Sequence, residues 1–233
     1  MRAQLAPEPV RILLLFGLPP EAPSVAIFTQ QLRHTVRNEI AVPVEFYEEF
    51  LDFDRFSGRT PQLAIYFSDK YRSIRIDAIV AVGSVALRFA TERLRSSWPR
   101  IPVIFALTID NIINVDGLPP NVTGRFSPFS FGSILAMARG LQPDARRVVI
   151  IGGLSAIDSF AVSSALHAVT EQAPELDITL LRGLPFDSLL GELRRLPRQS
   201  IVLLANFRRD GRGQLFIPGE IVSTISRESS APL

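Results

Sequence analysis

Three glycine turns place backbone N–H groups where they could hold an anionic group. Gly152-Gly153-Leu154-Ser155 follows an apolar run and opens a helical pattern, and Gly17-Leu18-Pro19 and Gly83-Ser84 stand in equivalent positions. The first N–H groups of a helix lack partners within the helix and carry its positive dipole end, so they suit a carboxylate or another anion. None of these turns has a dinucleotide or P-loop spacing. A tight turn that needs glycine for close backbone approach is an equal alternative for each of them.

Other residues with catalytic or metal-binding potential are scarce. The acids at residues 45–54 could form a carboxylate pair or a divalent-metal site, but aromatic residues alternate with them, which favours an edge segment packed on the core. His34 and His167 lie in helical patterns, far from any triad-like serine or aspartate. The absence of cysteine excludes disulfides, thiolate metal sites and a cysteine nucleophile. We therefore expect no catalytic residue, no metal site and no cofactor.

Charge is nearly balanced along the chain. There are 25 basic and 23 acidic residues, and the arginines form no stripe with interleaved aromatics, so nucleic acid is not an expected partner. The segment Phe207-Arg208-Arg209-Asp210-Gly211-Arg212 could hold an anionic ligand group, although a solvated hairpin tip is favoured for Arg209 and Arg212. No run reaches the roughly 18 apolar residues of a membrane span, and the N-terminus lacks the apolar region of a secretory leader. We expect a soluble domain that meets a membrane only through regions outside this chain.

Seven short apolar runs predict strands that are buried on both faces, as in parallel sheets covered by helices. They lie at residues 11–16, 42–47, 77–82, 101–106, 147–151, 177–181 and 201–205. Amphipathic segments between them predict the intervening helices, one with Thr60 as N-cap and another at residues 131–141. The fold class is therefore α/β, with parallel sheets flanked by helices.

The strands form two successive trains, and these predict two lobes at residues 8–124 and 125–233. Periodicity fails between Thr108 and Ser130, which we interpret as a crossover and hinge. Ligands bind outside the carboxyl ends of parallel strands, so a ligand is expected in the cleft between the lobes. The predicted ligand-binding residues are Gly17, Leu18, Pro19, Ser84, Thr108, Phe126, Gly153, Ser155, Asp158 and Phe207. Asp158 would meet a polar end of the ligand, while Leu18, Phe126 and Phe207 would cover its apolar body.

Four ordered segments resemble a known family. They begin at Val44-Glu45-Phe46-Tyr47, Ile79-Val80-Ala81-Val82-Gly83-Ser84, Leu118-Pro119-Pro120-Asn121 and Gly152-Gly153-Leu154-Ser155-Ala156-Ile157-Asp158. Together they resemble ABC-transporter-type substrate-binding proteins with the type I periplasmic binding fold. The closest resemblance is to the branch that serves as extracytoplasmic sensor regions of bacterial histidine kinases. It covers nearly the whole chain.

The resemblance implies a two-lobed Venus-flytrap receptor that closes on a small molecule, an amino acid or a similar solute, without catalysis. A periplasmic sensor domain of a signal-transduction protein is the first expectation, and the solute-binding component of an ABC importer is the alternative. The flanking regions of the gene would separate the two. An α/β enzyme is a third hypothesis, but it needs several titratable groups in the cleft, and Asp158 is the only acid that the strand-end rule places there.

The resemblance also implies a further strand beyond Leu233. Without it, the strand at residues 201–205 would leave N–H and C=O groups unpaired along an edge. We therefore expect a frayed C-terminus or a homodimer in which a partner covers that edge.

Overall fold

The computed structural model describes residues 7–53, 56, 58–109, 117–127 and 130–233. The chain divides into two units, Met1–Phe129 and Ser130–Leu233, and each has its own parallel sheet. Residue 124, where the sequence analysis placed the division, lies inside a strand of the first unit. The predicted α/β class, with parallel sheets covered by helices, is confirmed in both units.

The first unit contains a five-stranded parallel sheet in the order β2-β1-β3-β4-β5. Its strands are β1 (Val10–Phe16), β2 (Val44–Phe50), β3 (Ala78–Val82), β4 (Val103–Ile109) and β5 (Val122–Ser127). Its helices are α1 (Pro23–Glu39), α2 (Thr60–Lys70) and α3 (Ser84–Phe89), the last continued by a π-helical turn at Ala90–Leu94. The N-cap of α2 is Arg59 rather than the predicted Thr60.

Alternate residues of β1 are buried on opposite faces of this sheet. Leu13 and Leu15 belong to the core beneath α2 and α3, whereas Leu14 and Phe16 belong to the core beneath α1. Successive side chains of a strand point to opposite faces, so an uninterrupted apolar run is what a strand covered on both sides requires. This is why the apolar runs located the central strands.

The β5 strand lies inside the segment that was predicted to be an irregular crossover. Only Val122 and Phe126 have apolar side chains among the six residues of Val122–Ser127, and the strand pairs with β4 alone at the edge of the sheet. An edge strand with polar residues lacks the continuous apolar run of a buried one, so the pattern missed it. The remaining parts of the predicted hinge, residues 110–116 and 128–129, lie outside the described residues.

The second unit contains a three-stranded parallel sheet in the order β7-β6-β8. Its strands are β6 (Arg147–Gly152), β7 (Asp177–Arg182) and β8 (Ser200–Asn206). Its helices are α4 (Phe131–Leu141), α5 (Ala156–Gln172), α6 (Phe186–Leu193) and α7 (Pro218–Glu228). One sheet face packs beneath α4 and α5, and the other beneath α6 and α7.

The segment after α7 folds back onto the edge of this sheet. The Val202 N–H of β8 donates to the Pro232 carbonyl over 3.1 Å, and the Ser230 N–H donates to the Leu193 carbonyl over 3.1 Å. Ala231 between them is buried. The expected frayed end is therefore not found at residues 229–232, because the tail supplies an acceptor to an outward-facing N–H of β8.

Candidate functional site

The turns after β1 and β3 are each hydrogen-bonded to the neighbouring strand of the sheet. The Gly17 N–H donates to the Val82 carbonyl over 2.9 Å, and the Gly83 N–H donates to the Ala106 carbonyl over 2.8 Å. A Cβ on Gly17 would lie 2.8 Å from the Ala86 nitrogen, and Gly83 has a φ of +89°. Both positions require glycine, one for close approach and one for its backbone conformation.

Ser84 and Thr108 are also brought to this edge. The Ser84 hydroxyl accepts a hydrogen bond from the Ile109 N–H over 3.2 Å, and the buried Thr108 hydroxyl donates to the Ala106 carbonyl over 3.3 Å. Leu107, between Ala106 and Thr108, has a φ of +51°. It lies where the register between β4 and β5 shifts. A bulky residue in this conformation is strained. The strain and the bulge turn the end of β4 toward the first turn of α3.

A cavity of about 520 Å³ opens beside this edge, within the first unit. Residues 18–21 after β1 form one wall, and residues 50–53 at the end of β2 form another. The remaining lining residues come from the entry and first turns of α2: Phe56, Arg59, Gln62, Leu63 and Tyr66. Of the predicted site residues, Leu18 and Pro19 line this cavity.

Aromatic rings dominate the cavity wall, and two of them are fixed by the core. Phe50 stacks on the buried Phe16 with ring centroids 4.7 Å apart, and Phe53 meets Phe89 edge-on at 5.7 Å. At the mouth, Phe56 and Tyr66 are about half exposed, at 52% and 53%. The inner wall is therefore rigid and apolar, and the mouth offers two large rings to solvent.

Three charged residues line this cavity: the exposed Arg59 and Glu21, and the half-buried Asp52. Arg59, the N-cap of α2, makes no ion pair or side-chain hydrogen bond with any described residue, and the same holds for Glu21 on the opposite wall. No side chain caps α2, so the positive end of its dipole borders the cavity unneutralised. Asp52 already has a partner within the protein.

A polar network behind the cavity holds the chain's only lysine. Lys70 donates to Glu49, and its ammonium lies 5.7 Å from the Tyr66 ring centroid and 5.6 Å from that of Tyr71. Burial, followed by its hydrogen bond to Glu49, raises the pKa of Tyr71 above its usual value. The Glu49 hydrogen bond likewise raises the pKa of Lys70. Both groups are therefore held protonated behind Tyr66.

In the second unit the predicted ligand-binding carboxylate is fully buried. Asp158 and Ser155 form a capping box at the start of α5, with the Ser155 N–H donating to Oδ2 over 2.8 Å. Oδ1 accepts from the Asn206 amide over 2.7 Å and from the Arg208 N–H over 3.0 Å, and Oδ2 accepts from the Arg209 N–H over 3.2 Å. Four protein donors occupy its oxygens, so this side chain ties the loop after β8 to the turn after β6.

Gly153 and Phe207 complete this closed arrangement. A Cβ on Gly153 would collide with the Asp158 carboxylate and the Arg209 carbonyl. Phe207 is 1% exposed and packs against Phe186 and Phe216 in the core. Its ring is therefore not open to solvent. Phe126 in the first unit is half-buried against Phe105, with centroids 4.6 Å apart.

The sequence analysis missed most of the cavity. The alternation at residues 45–54 predicts aromatic residues packed on the core, and the structure confirms this: Tyr47 and Phe53 pack against one core of the first unit and Phe46 and Phe50 against the other. Phe50 and Phe53 also line the cavity, which was not predicted. The signal that was available is the closeness of this segment to the N-terminus of α2. The spacing Ser155-x-x-Asp158 was likewise readable as a capping box.

Within the described part of the chain, no group of three or more histidine or acidic residues is placed to hold a metal ion. The helices of that same part include none with the length and apolar character needed to cross a bilayer.

No family model matches this sequence, and no curated protein matches it either. Solved structures do resemble it. An ABC domain from Streptococcus pneumonia in complex with L-Trp is 15% identical, with a TM-score of 0.55 over 84% of this chain and 65% of that one. A solute-binding protein of an ABC transporter from Rhodopseudomonas palustris BisB5, in complex with 3,4-dihydroxy benzoic acid, is 14% identical, with a TM-score of 0.57 over 94% of this chain and 57% of that one.

The branched-chain amino acid transporter substrate-binding protein LivJ from Streptococcus pneumoniae, in complex with isoleucine, is 14% identical. Its TM-score is 0.55 over 84% of this chain and 57% of that one. The chain thus spans less than two thirds of the length of these structures. At such identities the likeness concerns the fold: this chain has the α/β fold of the substrate-binding proteins of ABC transporters.

Proposed function

We propose that this chain binds a small organic solute, without catalysis, at the carboxyl ends of its parallel strands. The observation that carries the proposal is the cavity after β1 and β2, which has a rigid aromatic wall and an exposed arginine that makes no ion pair with any described residue. Its volume of about 520 Å³ lies in the range of small-molecule sites. The fold likeness to solute-binding proteins supports the same conclusion, since ligands of parallel α/β sheets bind beyond the strand ends.

Among the predicted site residues, we propose direct ligand contact for Leu18 and Pro19. Gly17, Ser84 and Thr108 would shape the neighbouring turns in the first unit, and Phe126 would support them. For the second unit we propose that Gly153, Ser155, Asp158 and Phe207 set the conformation of the loops that face a ligand, with Asp158 as a positioning residue. The two-lobe organisation with ligand-dependent closure belongs to this proposal.

The biological role proposed is that of the solute-binding component of an ABC importer, acting outside the cytoplasm. The solved structures reported above are transporter components, which favours this role over the sensor domain of a histidine kinase. A transport assay separates the two: loss of the gene should abolish uptake of the bound solute if the protein serves an importer. Intact uptake with a lost transcriptional response would favour the sensor.

Binding itself is tested by thermal unfolding of the purified chain with amino acids, aromatic acids and aliphatic acids. A true ligand at a hundred times its Kd stabilises the folded state by about 2.7 kcal/mol, which raises the Tm by several degrees. Mass spectrometry of the recovered ligand should show it unchanged. The proposal fails if no solute of any class raises the Tm, or if the bound compound is converted.

A further inference from the structure

We propose that two copies of this chain pair through β7, in antiparallel orientation, so that the sheets of their second units join into one. β7 is the end strand of its sheet. The Asp177 N–H donates to the Arg146 carbonyl, toward β6. Because backbone groups alternate in direction along a strand, those of Ile178 and Leu180 point away from β6, on a side where no other described strand pairs with them.

The other three sheet edges of the described chain carry features that keep edge strands from pairing. β2 has three glutamates, each in an ion pair with a basic residue. β5 contains Gly124 and Arg125, and its register with β4 shifts. β8 donates its Val202 N–H to the segment after α7. β7 has no glycine, proline, lysine or register shift, and its charged side chains lie only at its two ends.

One face of β7 also lacks a cover. Ile178 lies beside Val148 and Leu180 beside Ile150, and these two β6 residues are fully buried in the core beneath α4 and α5. Ile178 and Leu180 are nevertheless 39% and 44% exposed. The helices therefore cover this face of the sheet at β6 and leave it open at β7.

Leu166 of α5 borders the same open face. The Arg182 guanidinium at the end of β7 donates to the Ser159 hydroxyl over 2.6 Å, so this side of α5 is turned toward β7. Leu166 lies about two helical turns beyond Ser159 on the same side of the helix, and it is exposed. Leu166, Ile178 and Leu180 together form an apolar strip along the edge, which we call the β7 strip.

A second copy of the chain fits this edge. In a two-fold pair whose axis is perpendicular to the sheet, the strands run antiparallel and the α5 faces of both copies lie on the same side. The outward-facing Ile178 then opposes the partner's Leu180, and each such pair exchanges two N–H···O bonds and joins two exposed apolar side chains. Thr179 opposes the partner's Thr179 at the axis, as a non-hydrogen-bonded pair whose side chains are close.

Charge selects the antiparallel orientation. β7 begins at Asp177 and ends at Arg182, so antiparallel pairing brings the acidic start of each copy beside the basic end of the other. Parallel pairing would bring like charges together. The sequence predicted a homodimer through β8, but there the Val202 N–H already has an acceptor in the chain's own last segment. The proposal therefore places the dimer at β7.

Sedimentation velocity of the full chain between about 1 and 100 µM tests the proposal, since the dimer population rises with concentration by mass action. We expect a monomer–dimer equilibrium for the wild type. Leu180→Lys should raise the dimer Kd at least about tenfold, because the new charge lies diagonal to the same charge of the partner on an edge that charge keeps from pairing. Leu141→Lys, at a highly exposed leucine of α4 outside the β7 strip, is the matched control and should dimerise as the wild type does. The Tm of each variant shows whether it is folded.

Single cysteines test the register, because the chain has no cysteine of its own. Thr179→Cys should form a disulfide-linked dimer under mild oxidation, since this position opposes itself at the axis. In Leu180→Cys the two cysteines would be diagonal neighbours about 7–8 Å apart, which is too far for an unstrained disulfide, so this variant should link more slowly.

The proposal is overturned if the wild type is monomeric at every concentration, which would leave the β7 strip to a partner of another sequence or to solvent. It is also overturned if Leu180→Lys dimerises as tightly as the wild type, or if Thr179→Cys links no faster than Leu180→Cys or Leu141→Cys. These readouts do not depend on a bound solute, so they stand apart from the test of the proposed function.

Discussion

In both sheets the parallel strands end at the same edge, but the loops at that edge are arranged differently in the two units. In the first unit they open into a cavity walled by aromatic rings. In the second unit two buried aspartates hold the loops after β6, β7 and β8 together by hydrogen bonds. Asp158 accepts from four donors, and Asp210 accepts from the N–H groups of Phe186, Arg212 and Gln214. The comparison teaches that strand direction fixes where the loops of each sheet gather, whereas the hydrogen bonds of the loop side chains decide whether a cavity remains there.

The largest expected change in stability comes from removing the hydrogen bonds that Asp158 accepts. In Asp158→Asn the amide nitrogen would face N–H donors that now lack an acceptor, and buried unsatisfied donors each cost about 1–3 kcal/mol. We expect a loss of about 3 kcal/mol or more in the free energy of unfolding of the second unit. Urea denaturation followed by far-UV circular dichroism measures it. Asp144→Asn is the control, because Asp144 is exposed and makes no described side-chain contact.

The same variant sharpens the comparison through binding. If Asp158 only positions loops of the second unit, a ligand of the first-unit cavity should retain most of its affinity under conditions where the variant is folded. A loss of affinity greater than the loss of folded protein would show instead that this carboxylate meets the ligand, as the sequence analysis expected.

A second way to break the closed edge is Gly153→Ala. The added methyl would meet the Asp158 carboxylate and the Arg209 carbonyl, and backbone cannot easily move away. Overpacking of this kind costs about 1–3 kcal/mol. The opposite sign is expected for Gly191→Ala within α6, where the Cβ meets open space and alanine is the better helix former by about 1 kcal/mol. Equal effects in the two variants would contradict the close packing at Gly153.

A side chain that fills the first-unit cavity tests whether ligand binds there. Gln62 lines the cavity mouth from the exposed first turn of α2, so Gln62→Trp should occlude ring-sized ligands and weaken their binding about tenfold, or about 1.4 kcal/mol, with little change in Tm. Gln30→Trp on the exposed side of α1 adds the same ring outside the cavity lining and should leave Kd unchanged. Unchanged binding by Gln62→Trp would place the ligand elsewhere.

The sequence predicted what local pattern controls. Uninterrupted apolar runs located the central strands, and α4 at Phe131–Leu141 has its predicted bounds. The edge strand β5 was not predicted because it pairs with one neighbour only, and its two apolar side chains in six residues form no continuous run. The cavity was not predicted for another reason. Residues 50–53 and the first turns of α2 are close in sequence, but the cavity also needs residues 18–21, and no spacing along the chain records how these three segments meet.

The smallest effect concerns pH and the support behind the open edge. Because the folded-state pKa values of Tyr71 and Lys70 are raised, their protonated forms stabilise the fold fully below the unfolded values near 10 and progressively less as pH rises above them. The free energy of unfolding of the first unit should therefore begin to fall near pH 10 and keep falling as the pH rises further. Fluorescence of Trp98, the chain's only tryptophan, measures this unfolding, since the Trp98 and Tyr71 ring centroids lie 6.1 Å apart.

Two variants test the origin of the decline. Tyr71→Phe removes one titrating group and should flatten the decline, while Tyr66→Phe, whose ring lacks a bond to Glu49, should keep it. A wild-type decline that Tyr71→Phe leaves intact would show that the alkaline sensitivity arises outside this network.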